Sequence, residues 1–226
     1  KGLKKDFQEI EALRSKSDLA KTIASLHMKG VNALFYFGVS QDLKNVDRHI
    51  CYLRQSGIRT GVVGKTHMRP DMEAMDRLGI SKNTKIGLVV SEPGFDPYER
   101  DDGLHPNNQI KNSEKKLSYN EWLNKLGYEG DNPWDSWANS AEGDNGEILS
   151  GWRLRNSNKP ARIPEEHSET AFMTNRAMEF IEESKDKPWF LHLSYIKPHW
   201  PYMAPAPYHN MYSANEFYPV HRNDTE

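Results

Sequence analysis

The run from Trp189 to Ile196 constrains the fold more than any other part of the sequence. It carries apolar side chains at both odd and even positions, with His192 and Ser194 as its polar exceptions. A strand that is apolar on both faces is typical of a sheet covered by other elements on both sides. The run therefore predicts a central strand that is buried in such a sheet.

Helical and extended patterns alternate in the rest of the chain. Apolar residues recur at helical spacing over about 41–56, and a second helix begins at Ser168. Two shorter runs, Thr60–Gly64 and Ile86–Val90, predict strands. This alternation predicts an α/β fold, with a mixed, mostly parallel sheet flanked by helices. We expect residues 1–226 to form one such domain.

The segment 91–164 predicts a long loop insertion in this domain. It is rich in Gly, Pro, Asn, Asp and Trp, with one helix predicted near Ser118–Leu126. Its four tryptophans favour an ordered segment, and its acidic cluster of Glu99, Asp101 and Asp102 predicts a solvated turn.

Composition and charge exclude several classes of protein. An aromatic content of 11% is too high for a disordered chain, and no window approaches 18 uninterrupted apolar residues, so we expect no membrane span. The net charge is −2 with no long basic run, which argues against a nucleic-acid partner. The single cysteine, Cys51, is interpreted as a structural thiol. A single cysteine and the lack of a visible signal peptide together favour a cytoplasmic protein.

Two strand exits carry the residues most suited to chemistry. Lys65 and His67 lie two apart after the first strand, so in extended backbone both point to the same side and could bind an anion. The alternative is a surface lysine beside a loop histidine. At the second exit, Pro198 and Pro201 stiffen the segment that carries His199. A structural loop histidine is the alternative there.

At these exits the sequence resembles the sulfatase family. The run Gly57-Ile58-Arg59-Thr60 and, after the strand, Gly64-Lys65-Thr66-His67 is similar to the family's "G-Y-R-T" and "G-K-x-H". The later run from Lys187 through Pro198-His199-Trp200-Pro201-Tyr202 is similar to its "K-P-F-F-L-x-L-x-Y…P-H-x-P-Y". Arg162-Ile163-Pro164 and the run 205–212 resemble the phosphonate monoester hydrolase and arylsulfatase branch.

This resemblance implies an alkaline-phosphatase-like fold and roles for individual residues. Lys65 and His67 match residues that contact the substrate anion and the hydroxyl of the nucleophile, and His199 matches a histidine near the leaving-group oxygen. Asn32 matches an asparagine that some members place at the anion. Trp134, Trp137 and Tyr98 are candidates for an aryl pocket, with loop packing as the alternative.

The resemblance also implies a divalent metal, Ca or Mn, and a formylglycine nucleophile. The chain lacks the family's paired Asp residues, its Cys/Ser-x-Pro-x-Arg signature and its Asp-x-Asp-His/Asn-Gly motif, so no metal ligand is assigned here. We therefore expect an interior segment of a sulfatase, incomplete at both ends of the sheet.

The function implied by the resemblance is hydrolysis of sulfate esters, with promiscuity toward phosphate and phosphonate esters. The lysine at position 65 favours sulfate. Hydrolysis of phosphonate monoesters or phosphodiesters is one alternative, and a non-catalytic sulfatase-like binding domain is another. The expected partner is a small-molecule sulfate or phosphonate ester, without nucleic acid or membrane, and a homo-oligomer is compatible with the sequence.

Overall fold

The computed structural model describes residues 46–66, 70–81, 84–101 and 117–213. Its helices are α1 Val46–Gln55, α2 Met72–Arg77, α3 Lys85–Ser91, α4 Ser118–Lys125 and α5 Glu169–Ser184. Its strands are β1 Arg59–Gly64, β2 Asp96–Arg100, β3 Ser140–Glu142, β4 Ile148–Ser150 and β5 Trp189–Ser194. Shorter helical turns are Trp134–Ala138, Leu154–Asn156, Glu165–His167 and Tyr208–Asn210. Among the helices in these ranges, none has the length and apolar character needed to cross a bilayer.

The chain divides into two compact units. The first comprises Lys1–Glu99 and Ala177–Ser194, and the second comprises Arg100–Arg176 and Tyr195–Glu226. The predicted helix near Ser168 is α5, and the predicted helix near residue 118 is α4.

The first unit contains a sheet with the strand order β2-β1-β5. β1 and β5 are parallel, with Arg59 opposite Trp189 and Gly64 opposite Ser194. This pairing confirms the α/β fold and the prediction that both strands belong to one sheet. In the described part of that sheet, however, β1 rather than β5 has neighbours on both sides.

Helices cover both faces of β1, whereas the apolar pattern predicts such cover for the run that forms β5. On one face, a core cluster joins α1 to the strands through the side chains of Ile50, Leu53, Val62, Phe95 and Phe190. On the other face, Phe180 of α5 packs so closely on Gly61 that a Cβ there would overlap its ring. The carboxyl ends of β1 and β5 therefore lie side by side at one edge of the sheet, and the strands that lead to them are buried.

The strand predicted over Ile86–Val90 is wrong, because these residues form helix α3. The hydroxyl of Thr84 accepts a hydrogen bond from the Gly87 N–H at 3.1 Å and so caps the helix N-terminus. Ile86 is 62% exposed. A short apolar run does not distinguish a strand from a helix, and here the N-cap decides the outcome.

The segment 91–164 contains more regular structure than predicted. β2, α4 and the antiparallel pair β3–β4 all lie within it. Its acidic residues also differ from prediction, since Glu99 and Asp101 are buried, the latter at 1% exposure, whereas Asp102 lies outside the described residues. The buried Trp134 agrees with the expectation of an ordered segment.

Candidate functional site

Lys65 directly follows β1 and is fixed by the neighbouring strand. Its backbone N–H donates to the Ser194 carbonyl oxygen at 3.1 Å. Gly64 makes this approach feasible, because its φ is +97° and a Cβ at this position would overlap the Ser194 oxygen. The backbone of Lys65 is thus held at the carboxyl ends of two parallel strands, where α/β folds place ligand-binding groups.

The residue after Lys65 is held by a buried carboxylate. The Thr66 hydroxyl donates to Glu92 Oε2 at 3.2 Å, and both side chains are buried, Glu92 at 0% exposure. Glu92 caps the C-terminus of α3, and the nearby Gly94 carbonyl accepts a hydrogen bond from the Thr60 hydroxyl at 2.9 Å. The start of the segment after β1 is therefore tied to the turn between α3 and β2.

His199, in the second unit, presents one ring nitrogen to its own backbone. Its Nδ1 lies 2.6 Å from the Trp200 carbonyl oxygen. The backbone N–H of His199 donates to the Ile196 carbonyl oxygen at 2.8 Å. Because a carbonyl only accepts, Nδ1 carries the proton, so the neutral ring keeps its lone pair on Nε2. The side chain is exposed. When the ring is protonated, Nε2–H can donate to an external oxygen.

Lys197 is a residue that the sequence did not single out. Its Nζ donates to Asn139 Oδ1 at 2.7 Å and to the Pro201 carbonyl at 2.5 Å. Asn139 is 1% exposed, and its own amide nitrogen donates to the Trp134 carbonyl at 2.9 Å. The partner amide lies 58 residues away in sequence. Nothing in the local pattern around Lys197 indicates that contact.

Burial lowers the pKa of Lys197 to about 8, although the carboxylate of Glu169 acts in the opposite direction. An ammonium group loses hydration when it is buried, so the neutral amine becomes easier to form.

The lowered pKa of Lys197 predicts a pH dependence of stability. Between pH 8 and 10.5 the Lys197 amine is protonated in the unfolded chain and neutral in the folded chain. The contribution of this residue to the free energy of unfolding therefore rises with pH in that range and is lost as pH falls through 8. We expect the unfolding free energy of the full-length protein, relative to its Lys197→Met variant, to increase by about 1–2 kcal/mol from pH 7.5 to 9.5. Urea unfolding at both pH values measures this, and a constant difference would contradict it.

The three aromatic candidates all make contacts within their own units. Trp134 is buried, and its Nε1 donates to Glu169 Oε1 at 2.6 Å. The ring of Trp137 lies 4.0 Å beneath the Arg162 guanidinium. In the first unit, the Tyr98 hydroxyl donates to Glu183 Oε1 at 2.8 Å. These contacts are compatible with loop packing, and binding of an aryl group by these residues stays a prediction.

Two predicted site residues, Asn32 and His67, lie outside the described residues. Lys65 and His199 belong to different units, so their predicted convergence on one anion stays a prediction. Cys51 lies on α1 with an exposed side chain. Among the described residues, no three His, Cys, Asp or Glu side chains form a group that could hold a metal ion, so these residues alone do not fit a divalent metal.

Other proteins are similar to this chain in sequence and in fold. The chain is 48% identical over 60 residues to the multifunctional alkaline phosphatase superfamily protein PehA of Trinickia caryophylli, covering 26% of this chain and 12% of that protein. The phosphonate monoester hydrolase SpPMH of Silicibacter pomeroyi superposes with a TM-score of 0.55 at 25% identity. The phosphonate monoester hydrolase of Agrobacterium radiobacter does so with a TM-score of 0.51 at 21% identity. Each superposition covers 77% of this chain and 30% of the other.

Two family models match the sequence. A model of peptidase family M13 matches residues 1–77, most of which lie outside the described ranges. The sulfatase model matches residues 50–224, which include both strand exits, Lys65 and His199. Because that match covers well over half of the sequence, the chain belongs to the sulfatase family.

Proposed function

We propose that the full-length protein containing this chain hydrolyses sulfate esters, with additional activity toward phosphonate and phosphate esters. The observation that carries this proposal is the fixed position of Lys65. Its backbone is bonded to Ser194, and the next residue is bonded to the buried Glu92. A cation on a fixed backbone needs little reorganisation to stabilise the charge that develops on a sulfuryl or phosphoryl oxygen.

His199 supplies the second part of the proposed mechanism. The bond from Nδ1–H to the Trp200 carbonyl leaves Nε2 as the nitrogen that exchanges a proton with solvent or substrate. In the protonated ring, Nε2–H donates to the ester oxygen as its bond to sulfur or phosphorus breaks. This role requires Lys65 and His199 to reach the same ester, and His67 and Asn32 are proposed to contact its anionic group.

The proposed reaction also needs a metal ion, a nucleophile and a pocket for the aryl group. Members of this family use a divalent metal, and we propose the same metal dependence, with Ca or Mn and a formylglycine nucleophile, for the full-length protein. Trp134, Trp137 and Tyr98 are proposed to line an aryl pocket.

The single cysteine favours a reducing compartment, so we propose a cytoplasmic location.

Hydrolysis of phosphonate monoesters is the second candidate. Two solved phosphonate monoester hydrolases share the fold, and each superposition covers 30% of their length. The lysine at position 65 is the reason to place sulfate first, because it matches the lysine of the sulfatase motif "G-K-x-H".

A substrate comparison tests the proposal. The metal-loaded full-length protein is assayed with 4-nitrophenyl sulfate and with 4-nitrophenyl phenylphosphonate, which have the same leaving group. We expect the larger kcat/KM for the sulfate. A larger value for the phosphonate would reverse the order of the two candidates, and hydrolysis of neither ester would favour a non-catalytic sulfatase-like domain.

A further inference from the structure

Lys197 forms a bridge between the two sides of the segment that carries His199. Lys197 lies two residues before His199, and Pro201 lies two residues after it. The 2.5 Å bond from Lys197 Nζ to the Pro201 carbonyl therefore closes this segment into a ring of five residues. The same Nζ reaches Asn139 at 2.7 Å, which fixes the closed segment to the start of β3.

The anchor of this bridge is itself held on several sides. Asn139 is buried, donates from Nδ2 to the Trp134 carbonyl and accepts the Gly151 N–H at its own carbonyl at 2.9 Å. These bonds join it to the helical turn Trp134–Ala138 and to the end of the β3–β4 pair. A buried amide held by these bonds gives Lys197 a partner whose position is set before the ring closes.

A second contact restrains the carbonyl that His199 uses. The Trp200 ring packs edge-on against Trp152 with ring centroids 4.6 Å apart. Trp152 Nε1 in turn donates to Asp135 Oδ1 at 2.7 Å. Trp200 is thus held through its side chain, while Lys197 holds the next residue, Pro201, through its carbonyl. Both contacts restrict where the acceptor of His199 Nδ1 can lie.

We infer that Lys197 is a positioning residue for His199, which holds the imidazole in the tautomer that leaves Nε2 for the leaving-group oxygen. This inference rests on the proposed function. An ammonium group has three hydrogens, and two of those on Lys197 are engaged by Asn139 and Pro201. This engagement fits a bridge better than a direct ligand of the substrate anion. A misplaced general acid slows the esters that most need protonation.

The test uses two esters that differ in their leaving groups. Lys197→Met is made in the full-length protein, with Lys159→Met as the matched control, because Lys159 forms a surface ion pair with Asp144. We expect Lys197→Met to lower kcat on phenyl sulfate by about tenfold more than on 4-nitrophenyl sulfate. The control is expected to change neither value. Equal losses on both esters with an unchanged tautomer would overturn the inference.

A second readout does not depend on turnover. Nitrogen-15 NMR of histidine-labelled protein reports which ring nitrogen carries the proton, and His199→Gln identifies the signal. We expect the Nδ1–H tautomer in the wild type and a mixture in Lys197→Met. If the wild type hydrolyses neither ester, the proposed function fails, and the NMR measurement alone tests the inference. The same His199 tautomer in Lys197→Met as in the wild type would then overturn it. If Lys197→Met does not fold, Lys197→Gln, whose shorter amide cannot reach both acceptors, is judged by the same criteria.

Discussion

Lys65→Ala is expected to lower kcat of the full-length protein on an aryl sulfate by about 10²–10³. This is the size of effect that follows the loss of one preorganised donor to a developing oxyanion. The substitution removes the cation but keeps the backbone N–H that bonds to Ser194, so the sheet edge should stay intact. Steady-state kinetics with 4-nitrophenyl sulfate give kcat, and thermal unfolding should show little change.

Lys85→Ala is the matched control for this experiment. Lys85 is an exposed lysine at the first position of α3, so its removal changes the net charge equally without touching the strand exit. We expect kcat to stay within about twofold of the wild type, as for surface substitutions away from special features. Equal kcat values for the two variants would contradict a role of Lys65 in the reaction.

Gly64→Ala is expected to destabilise the full-length protein by at least about 3 kcal/mol. The added methyl group would overlap the Ser194 carbonyl oxygen, and alanine at a φ of +97° is strained even without that overlap. The strands β1 and β5 must then separate at the edge where Lys65 bonds to Ser194. Denaturant unfolding followed by tryptophan fluorescence measures the loss, since Trp189 lies in β5.

Gly57→Ala separates the two causes of this loss. Gly57 has a φ of +81°, but a Cβ there would have no neighbour within 4 Å. Its replacement should therefore cost only the backbone strain, about 1 kcal/mol. If Gly64→Ala cost no more than Gly57→Ala, close packing against Ser194 would not be the reason for glycine at position 64.

The sequence predicts the parts of the fold that depend on local pattern. The strand at Trp189 was predictable, because a run that is apolar on both faces is typical of a buried strand. The strand at Thr60–Gly64 was predictable from its two adjacent valines, since β-branched residues favour extended backbone. Their parallel orientation is the one expected for an α/β fold, whereas their position as neighbours is known only from the structure. α3 was not predicted, since Ile86–Val90 is equally compatible with either periodicity. The hydroxyl of Thr84, three residues before the N–H that it caps, is the signal that favours the helix.

Candidate site residues could be named from the sequence only where they follow the end of a strand. Lys65 and His199 follow strand ends, and strand ends are visible in sequence. The role of Lys197 depends on Asn139, and the burial of Asp101 depends on packing within its unit. Such long-range contacts leave no periodic trace, so a lysine before a proline and an aspartate in a polar stretch look like surface residues until the structure is known.

The parallel pairing of β1 with β5 has a consequence for biosynthesis. Arg59 pairs with Trp189, which the ribosome adds about 130 residues later. At about 5–20 residues per second, β1 waits on the order of ten seconds before this partner exists. During that interval its apolar side chains and the backbone edge that later pairs with β5 are open to association. Because such a distant contact closes slowly, we expect chaperones to bind the nascent chain during this interval.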